Sequence, residues 1–410
     1  MLLKILLFSH TFTLFLLPLY IIRFSFFGIP FTLLEVSLLI SVSLTVLYCI
    51  KNRVSLKLFK TFFDLPILFF LIAAFLSLFV TPDLRGGLGI LKAYFVEPIL
   101  FFYSLVFVGK LAKDFRFIFS GLIGAVVLVS GLGFFQQLTG QFIFAEHEWV
   151  QGRVSSFYNS ANAVALIIGP VIPIIAILYF STKKRAKKLL YLGFLLLLTV
   201  IMFLTKSKGG ILTEVVVLGI LIYGLFSFKF QILKKLWYLI PTLFIILSLV
   251  FFGYVYQLYN PSIQTYGSRI EDDTLQIRYA TWFSTSQILS GEAVLGTGLN
   301  GFKYRYNDYK LLQFQEDFQY PHTLIFNFWT ETGLLGLFSF VVLIIYAFYI
   351  CLTLNSKGVN YLGLGLLGAF SAIVIHGLVD VPYFKNDLAL QFWALVAIVQ
   401  LVKELPKEHT

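Results

Sequence analysis

Apolar stretches of about twenty residues, the length a helix needs to cross a bilayer, recur along the whole chain. They lie at 5–22, 29–50, 62–80, 88–109, 116–137, 160–181, 189–205, 209–228, 236–256, 322–350, 360–381 and 387–403. In hydrocarbon only closed helices satisfy their own backbone groups, so the pattern predicts an all-α integral membrane protein of about twelve spans in a single polytopic domain, 1–410. The first stretch ends at Pro18-Leu19-Tyr20 with no small-residue cleavage pattern, and it reads as an uncleaved span. The rhythm breaks once. Residues 257–321 are polar between the ninth and tenth spans, and the apolar run resumes at Pro321-His322-Thr323-Leu324.

Basic residues orient the spans, because cytoplasmic loops collect lysine and arginine. Lys51, Arg53, Lys57 and Lys60, then Lys110, Lys113 and Arg116, the run 183–188, Lys229, Lys234 and Lys235, Lys357, and Lys403 with Lys407 all fall in alternate loops. With Lys4 they make nineteen of the 31 basic residues on one side, so both termini are expected in the cytoplasm. The loops at 80–88, 138–159, 206–208, 257–321 and 382–386 then face outward, and 257–321 forms a large extracytoplasmic cap.

Composition narrows the class further. With 59% hydrophobic and 12% charged residues, the chain has too much apolar surface for a soluble domain. The net charge of +11 follows from topology and gives no reason to expect nucleic acid. Cys49 and Cys351 lie far apart in sequence, so neither a disulfide framework nor a thiolate metal site is indicated. No internal repeat or pair of broken spans suggests an inverted-repeat transporter.

Charges on the outward side run against the orientation rule and need another reason. Arg153 precedes Ser155-Ser156-Phe157-Tyr158-Asn159-Ser160-Ala161-Asn162 at the start of the sixth span, where free amides would join the guanidinium in attracting an anion. Thr205-Lys206-Ser207-Lys208-Gly209-Gly210 sets two ammonium groups at the start of the eighth span; the plain alternative is interfacial snorkelling. Arg278 opens an amphipathic segment within the cap and offers a planar fork suited to phosphate. Its plain alternative is a pair with Glu271, Asp272 or Asp273. His322, at the mouth of the tenth span, titrates near neutrality and can take a proton from a hydroxyl, although a lone histidine usually does nothing chemical. Cationic stations and one base on the same face describe a site for a lipid-linked diphosphate whose sugar passes to a hydroxyl, with the leaving charge stabilised by fixed cations.

These residues carry a resemblance. Arg153 with 155–162, Thr205 to Gly210, Arg278 to Phe302, and above all Pro321-His322-Thr323-Leu324 followed by Trp329-Thr330-Glu331-Thr332-Gly333-Leu334-Leu335-Gly336 resemble the O-antigen ligase and O-antigen polymerase family of bacterial membrane glycosyltransferases. The resemblance implies transfer from an undecaprenyl diphosphate-linked glycan at the outer face of the cytoplasmic (inner) membrane, inverting, with no metal and no cofactor. It implies Arg153, Lys208 and Arg278, with Lys206 sharing the duty, as diphosphate ligands and His322 as the group that activates or positions the acceptor. The chain departs from the family pattern at Lys208, where arginine is usual, at Asn159-Ser160-Ala161-Asn162 and at His322-Thr323. The acceptor stays open among a second lipid-linked glycan, a lipid A core and a protein hydroxyl. A transporter or flippase of lipid-linked oligosaccharide is the alternative function, but it would need basic residues deep on the cytoplasmic half as well.

Weaker candidates complete the reading. Asn159, Asn162, Glu331, His376 and Asp380 are candidates for acceptor binding or support, with His376 and Asp380 spaced to touch on one helix face. Glu331 is expected beneath His322, Glu97 against Lys92 or Arg85, and His147 exposed; Glu35 and Glu214 lie within spans, where charge is costly.

Overall fold

The computed structural model describes residues 2–26, 28–229, 274–311, 317–356 and 361–404. The expected ninth span at 236–256, the carboxylates of Glu271, Asp272 and Asp273, and Lys234, Lys235, Lys357 and Lys407 lie outside them. The first half of the chain gives α1 (Leu2–Phe15), a hairpin of β1 (Arg23–Phe26) and β2 (Ile29–Thr32), α2 (Leu33–Asn52), α3 (Asp64–Leu76), α4 (Leu84–Ala112) and α5 (Arg116–Thr139). The second gives α6 (Glu146–Val150), α7 (Ala161–Ser181), α8 (Arg185–Leu204), α9 (Lys208–Lys229), α10 (Thr274–Gly291), α11 (Phe302–Tyr309), α12 (Leu324–Ser356), α13 (Tyr361–His376) and α14 (Asn386–Glu404).

Eight of these helices are long and apolar enough to cross a membrane, and α1, α3 and α13 are shorter apolar helices. Eleven of the twelve expected stretches therefore coincide with helices among the described residues. Large apolar side chains such as Phe8, Leu47 and Ile50 stay open to the surroundings, as a lipid-facing surface requires. The chain is a helical, multi-pass membrane protein.

Several ends differ from the sequence reading, for identifiable reasons. The stretch 5–22 is α1 followed by a 3₁₀ turn, Leu17–Ile21, with Pro18 early in it; fourteen α-helical residues reach only about 21 Å, and the five wider-pitched ones bring the total to about 31 Å. The second stretch begins as a helix only at Leu33, where Thr32 and Glu35 form a reciprocal capping box. Residues 29–32 instead pair with 23–26 in the antiparallel hairpin. Within α4, Leu91–Val96 takes a π-helical turn. Helix α7 narrows to 3₁₀ at Gly169–Val171, where Pro170 supplies no amide.

Helix α14 forms the centre of the bundle, with 89% of its apolar window buried, while α8, at 17%, lies on the periphery. Polar glue holds α1, α2 and α4 together: the His10 imidazole lies 2.7 Å from Ser104 Oγ, which lies 2.7 Å from Thr45 Oγ1, all of them buried. Near the same end as Lys60, Lys110 meets Glu404 at 2.8 Å. Lys92 lies 3.5 Å from Glu97, as expected, and 3.6 Å from Glu35.

Helix α12 is the element that shapes the opposite end. Gly333 leaves the helical region (φ +67°, ψ −172°) and splits it into 324–332 and 334–356. The glycine turn 294–301 fills the break: Leu334 N–H donates to the Val294 carbonyl at 3.0 Å, and Thr297 N–H to the Thr330 carbonyl at 2.7 Å. A Cβ at Gly333 would collide with the Val294 carbonyl and sit 2.8 Å from Leu295 Cα. That backbone region is essentially glycine's alone, at about 1–3 kcal/mol for other residues. Gly333→Ala should therefore lower the melting temperature of the purified protein by several degrees; an unchanged melt would mean that the turn does not brace the break.

Candidate functional site

The chemistry-bearing residues gather at the end of the bundle where α13 stops. Its last residue, His376, is buried, and the following turn carries Gly377, Val379 and the buried Asp380. Three segments far apart in sequence meet that turn. Leu324 N–H donates to the Gly377 carbonyl at 2.7 Å, which fixes the start of α12 immediately after His322. Arg278 Nε, from α10, donates to the Val379 carbonyl at 2.7 Å. Gly209, beside Lys208, packs so closely that a Cβ there would lie 2.9 Å from Val379 Cγ2 and 3.3 Å from His376 Nε2.

Arg153 joins from the next segment round. Its Nε donates to the Thr205 carbonyl at 2.9 Å, directly before the Lys206-Ser207-Lys208 turn, and one Nη donates to Asn162 Oδ1 at 2.8 Å. Ser160 caps α7, accepting from Asn162 N–H at 3.3 Å, and Ser207 accepts from Gly210 N–H at 3.3 Å at the start of α9. Both helices thus begin beside cations, as the sequence suggested. Lys208 is exposed at the first position of α9, and Lys206, also exposed, donates to the Gln151 carbonyl at 3.0 Å. Asn159 is exposed next to the Ser160 cap and makes no side-chain hydrogen bond among the described residues.

His322 sits in the left-handed backbone region (φ +53°), as do Ser156, Lys206 and Asn300 close to the same end. Non-glycine residues held there cost free energy and concentrate at functional sites. Its half-buried imidazole is walled by Tyr320 and Phe318, with ring centroids 4.7 and 5.5 Å away. The aromatic run continues through Phe318–Tyr306 (5.8 Å) to Phe302–Tyr306 (5.5 Å) on α11, so α11 braces the imidazole through Phe318. Burial holds the His322 pKa below its ordinary value; Asp380 opposes that shift and Arg278 adds to it. Arg278 is likewise lowered by burial, with Asp380 and Tyr320 pulling it back up and Arg153 pushing it further down. Asp380 also raises Tyr320, which burial has already raised. Arg153, Arg278, Asp380 and His322 therefore share one electrostatic neighbourhood.

Residues 192–341 match the family model described as O-antigen ligase. Over that stretch the chain is similar to the O-antigen ligase family, which its motifs also resemble. The matched region includes Lys206, Lys208, Arg278, His322 and Glu331, and leaves Arg153, His376 and Asp380 outside. No curated protein matches the chain.

Glu331 has a structural partner in the glycine turn. Its buried carboxylate accepts the backbone N–H of Asn300, so it anchors the glycine turn, because that turn offers amides with no other partner. His376 and Asp380 do share one turn, linked by a backbone bond from Asp380 N–H to the His376 carbonyl at 3.0 Å. His147 is exposed. Three participants escaped the sequence reading: the Val379 carbonyl, the buried Asp387, which accepts from Tyr158 Oη at 2.9 Å, and Glu148. A backbone carbonyl carries no residue signature; an acid two residues into the last span could have been flagged as costly there.

Proposed function

We propose that the chain is an O-antigen ligase-type glycosyltransferase that moves a glycan from an undecaprenyl diphosphate-linked donor to a hydroxyl of an acceptor sugar. It works at the outer surface of the bacterial cytoplasmic membrane. The observation that carries this reading is the meeting of α9, α10 and the His322 segment on the turn at 376–380. Arg278, the start of α9 beside Lys208 and the segment that carries His322 have no structural need to share a turn, and Arg153 is tied to Thr205 next to it. A transferase for a diphosphate leaving group needs them together.

In the proposed reaction the neutral imidazole of His322 accepts the proton of the acceptor hydroxyl as its oxygen attacks the anomeric carbon. The bond from that carbon to the diphosphate oxygen breaks, and its electron pair leaves with undecaprenyl diphosphate. Arg278, Arg153 and Lys208 stabilise the charge gathering there; such preorganised charge is often the largest contribution to catalysis. Attack opposite the leaving group inverts the anomeric centre.

The test is direct. Purified protein in lipid, given an undecaprenyl diphosphate-linked glycan and separately a second lipid-linked glycan, a lipid A core or a protein acceptor, should release undecaprenyl diphosphate and extend one of the three. Movement of intact donor across the bilayer with no new glycosidic bond would instead identify a flippase.

A further inference from the structure

The loop that carries Arg153 begins with a carboxylate that the reaction scheme does not use. Glu148, in α6, is buried at 4% exposure. One of its oxygens accepts the N–H of Ala161, the first residue of α7, at 2.9 Å, where the free amides of a helix start favour negative charge. The other lies 2.8 Å from an Nη of Arg153. The Arg153 N–H closes the loop by donating to the Glu148 carbonyl at 2.9 Å.

The guanidinium is thus held from three directions, by Glu148, by the Thr205 carbonyl and by Asn162. A guanidinium has five N–H donors in one plane. Two hydrogen bonds, to Thr205 and Asn162, together with the ion pair to Glu148, fix that plane and leave N–H donors over. The two partners are also unequally exposed: the Arg153 side chain is 20% open and that of Glu148 only 5%. Arg153 is thus the more open member of the pair.

We propose that Glu148 is the positioning residue for Arg153, holding its guanidinium in one orientation with N–H donors kept for a diphosphate. This rests on the reading of Arg153 as a diphosphate ligand. Orientation fixed before the ligand arrives raises affinity without any new contact. A misplacement of about 1 Å costs up to about a hundredfold.

The experiment measures binding of undecaprenyl diphosphate to the full chain in lipid nanodiscs, for the wild type, Glu148→Gln, Arg153→Ala and the double variant. Glutamine keeps an oxygen for Ala161 and drops the charge against Arg153. Glu148→Gln should weaken binding about tenfold or more in the wild-type background and change nothing in the Arg153→Ala background, the non-additivity of two residues acting as one unit. Equal weakening in both backgrounds, which a purely structural role through α7 would give, overturns the proposal, and so does unchanged binding. If Arg153→Ala itself binds like the wild type, the assignment of Arg153 fails first and takes the proposal with it. Should Glu148→Gln not accumulate, Glu148→Asp, which keeps the charge but shortens the reach, enters the same comparison under the same criteria.

Discussion

Replacing His322 by alanine is expected to stop glycan transfer while leaving the protein inserted and able to bind undecaprenyl diphosphate. General-base catalysis contributes about 10² to 10⁴-fold, and among the described residues the other histidine at this turn, His376, is buried at the end of α13. The aromatic wall of Phe318 and Tyr320 remains when the imidazole is removed, so the loss should fall on kcat rather than on the donor KM. The pH profile of the wild type makes the same claim from another side. Because burial depresses the His322 pKa, the imidazole stays neutral at pH 7 and loses its basic form only as pH falls below the ordinary value of about 6.5. The acid limb of kcat/KM should lie below that value and vanish from the residual activity of His322→Ala. Full activity in the alanine variant would remove His322 from the mechanism.

Arg278→Ala is the second large expectation, with a loss of about 10² to 10³ in kcat, or about 2.7–4 kcal/mol, the range seen when one preorganised donor to a developing anion is removed. Arg278→Lys separates charge from shape. Lysine keeps the cation but has no Nε–H for the Val379 carbonyl, the bond that ties α10 to the turn after α13. Its activity should fall between the wild type and the alanine variant. Activity of Arg278→Lys equal to wild type would show that charge alone suffices and that the tether is incidental; a harmless Arg278→Ala would remove this arginine from the site.

The helices were legible because lipid imposes the same rule on every span, and α2, with its Thr32 and Glu35 box, shows that even a helix start could be read to within a few residues. The candidate site was read as residue types: Arg153, Lys208, Arg278 and His322 stood out because charge on the side expected to face outward runs against the orientation rule. What stayed hidden depends on backbone atoms or on contacts between distant segments. Val379 contributes a carbonyl, which its valine side chain does not announce. Glu148 sits between His147 and Trp149 as an ordinary loop acid, and only the fold places it against Arg153. Glu331 stood out by its position in the same motif as His322, but only the break at Gly333 and the turn that fills it reveal that its carboxylate binds Asn300. The block Thr332-Gly333-Leu334 thus owes its character to a bent backbone rather than to chemistry.

The split in α12 also sets a depth. The segment 334–356 has 23 residues and spans about 34 Å, close to the thickness of a hydrocarbon core. With the hydrocarbon boundary near Gly333, the nine residues of 324–332 would lift His322 by as much as about 13 Å into the headgroup zone. A polyprenyl carrier moored in the leaflet would present its phosphates at that height without being pulled from the membrane.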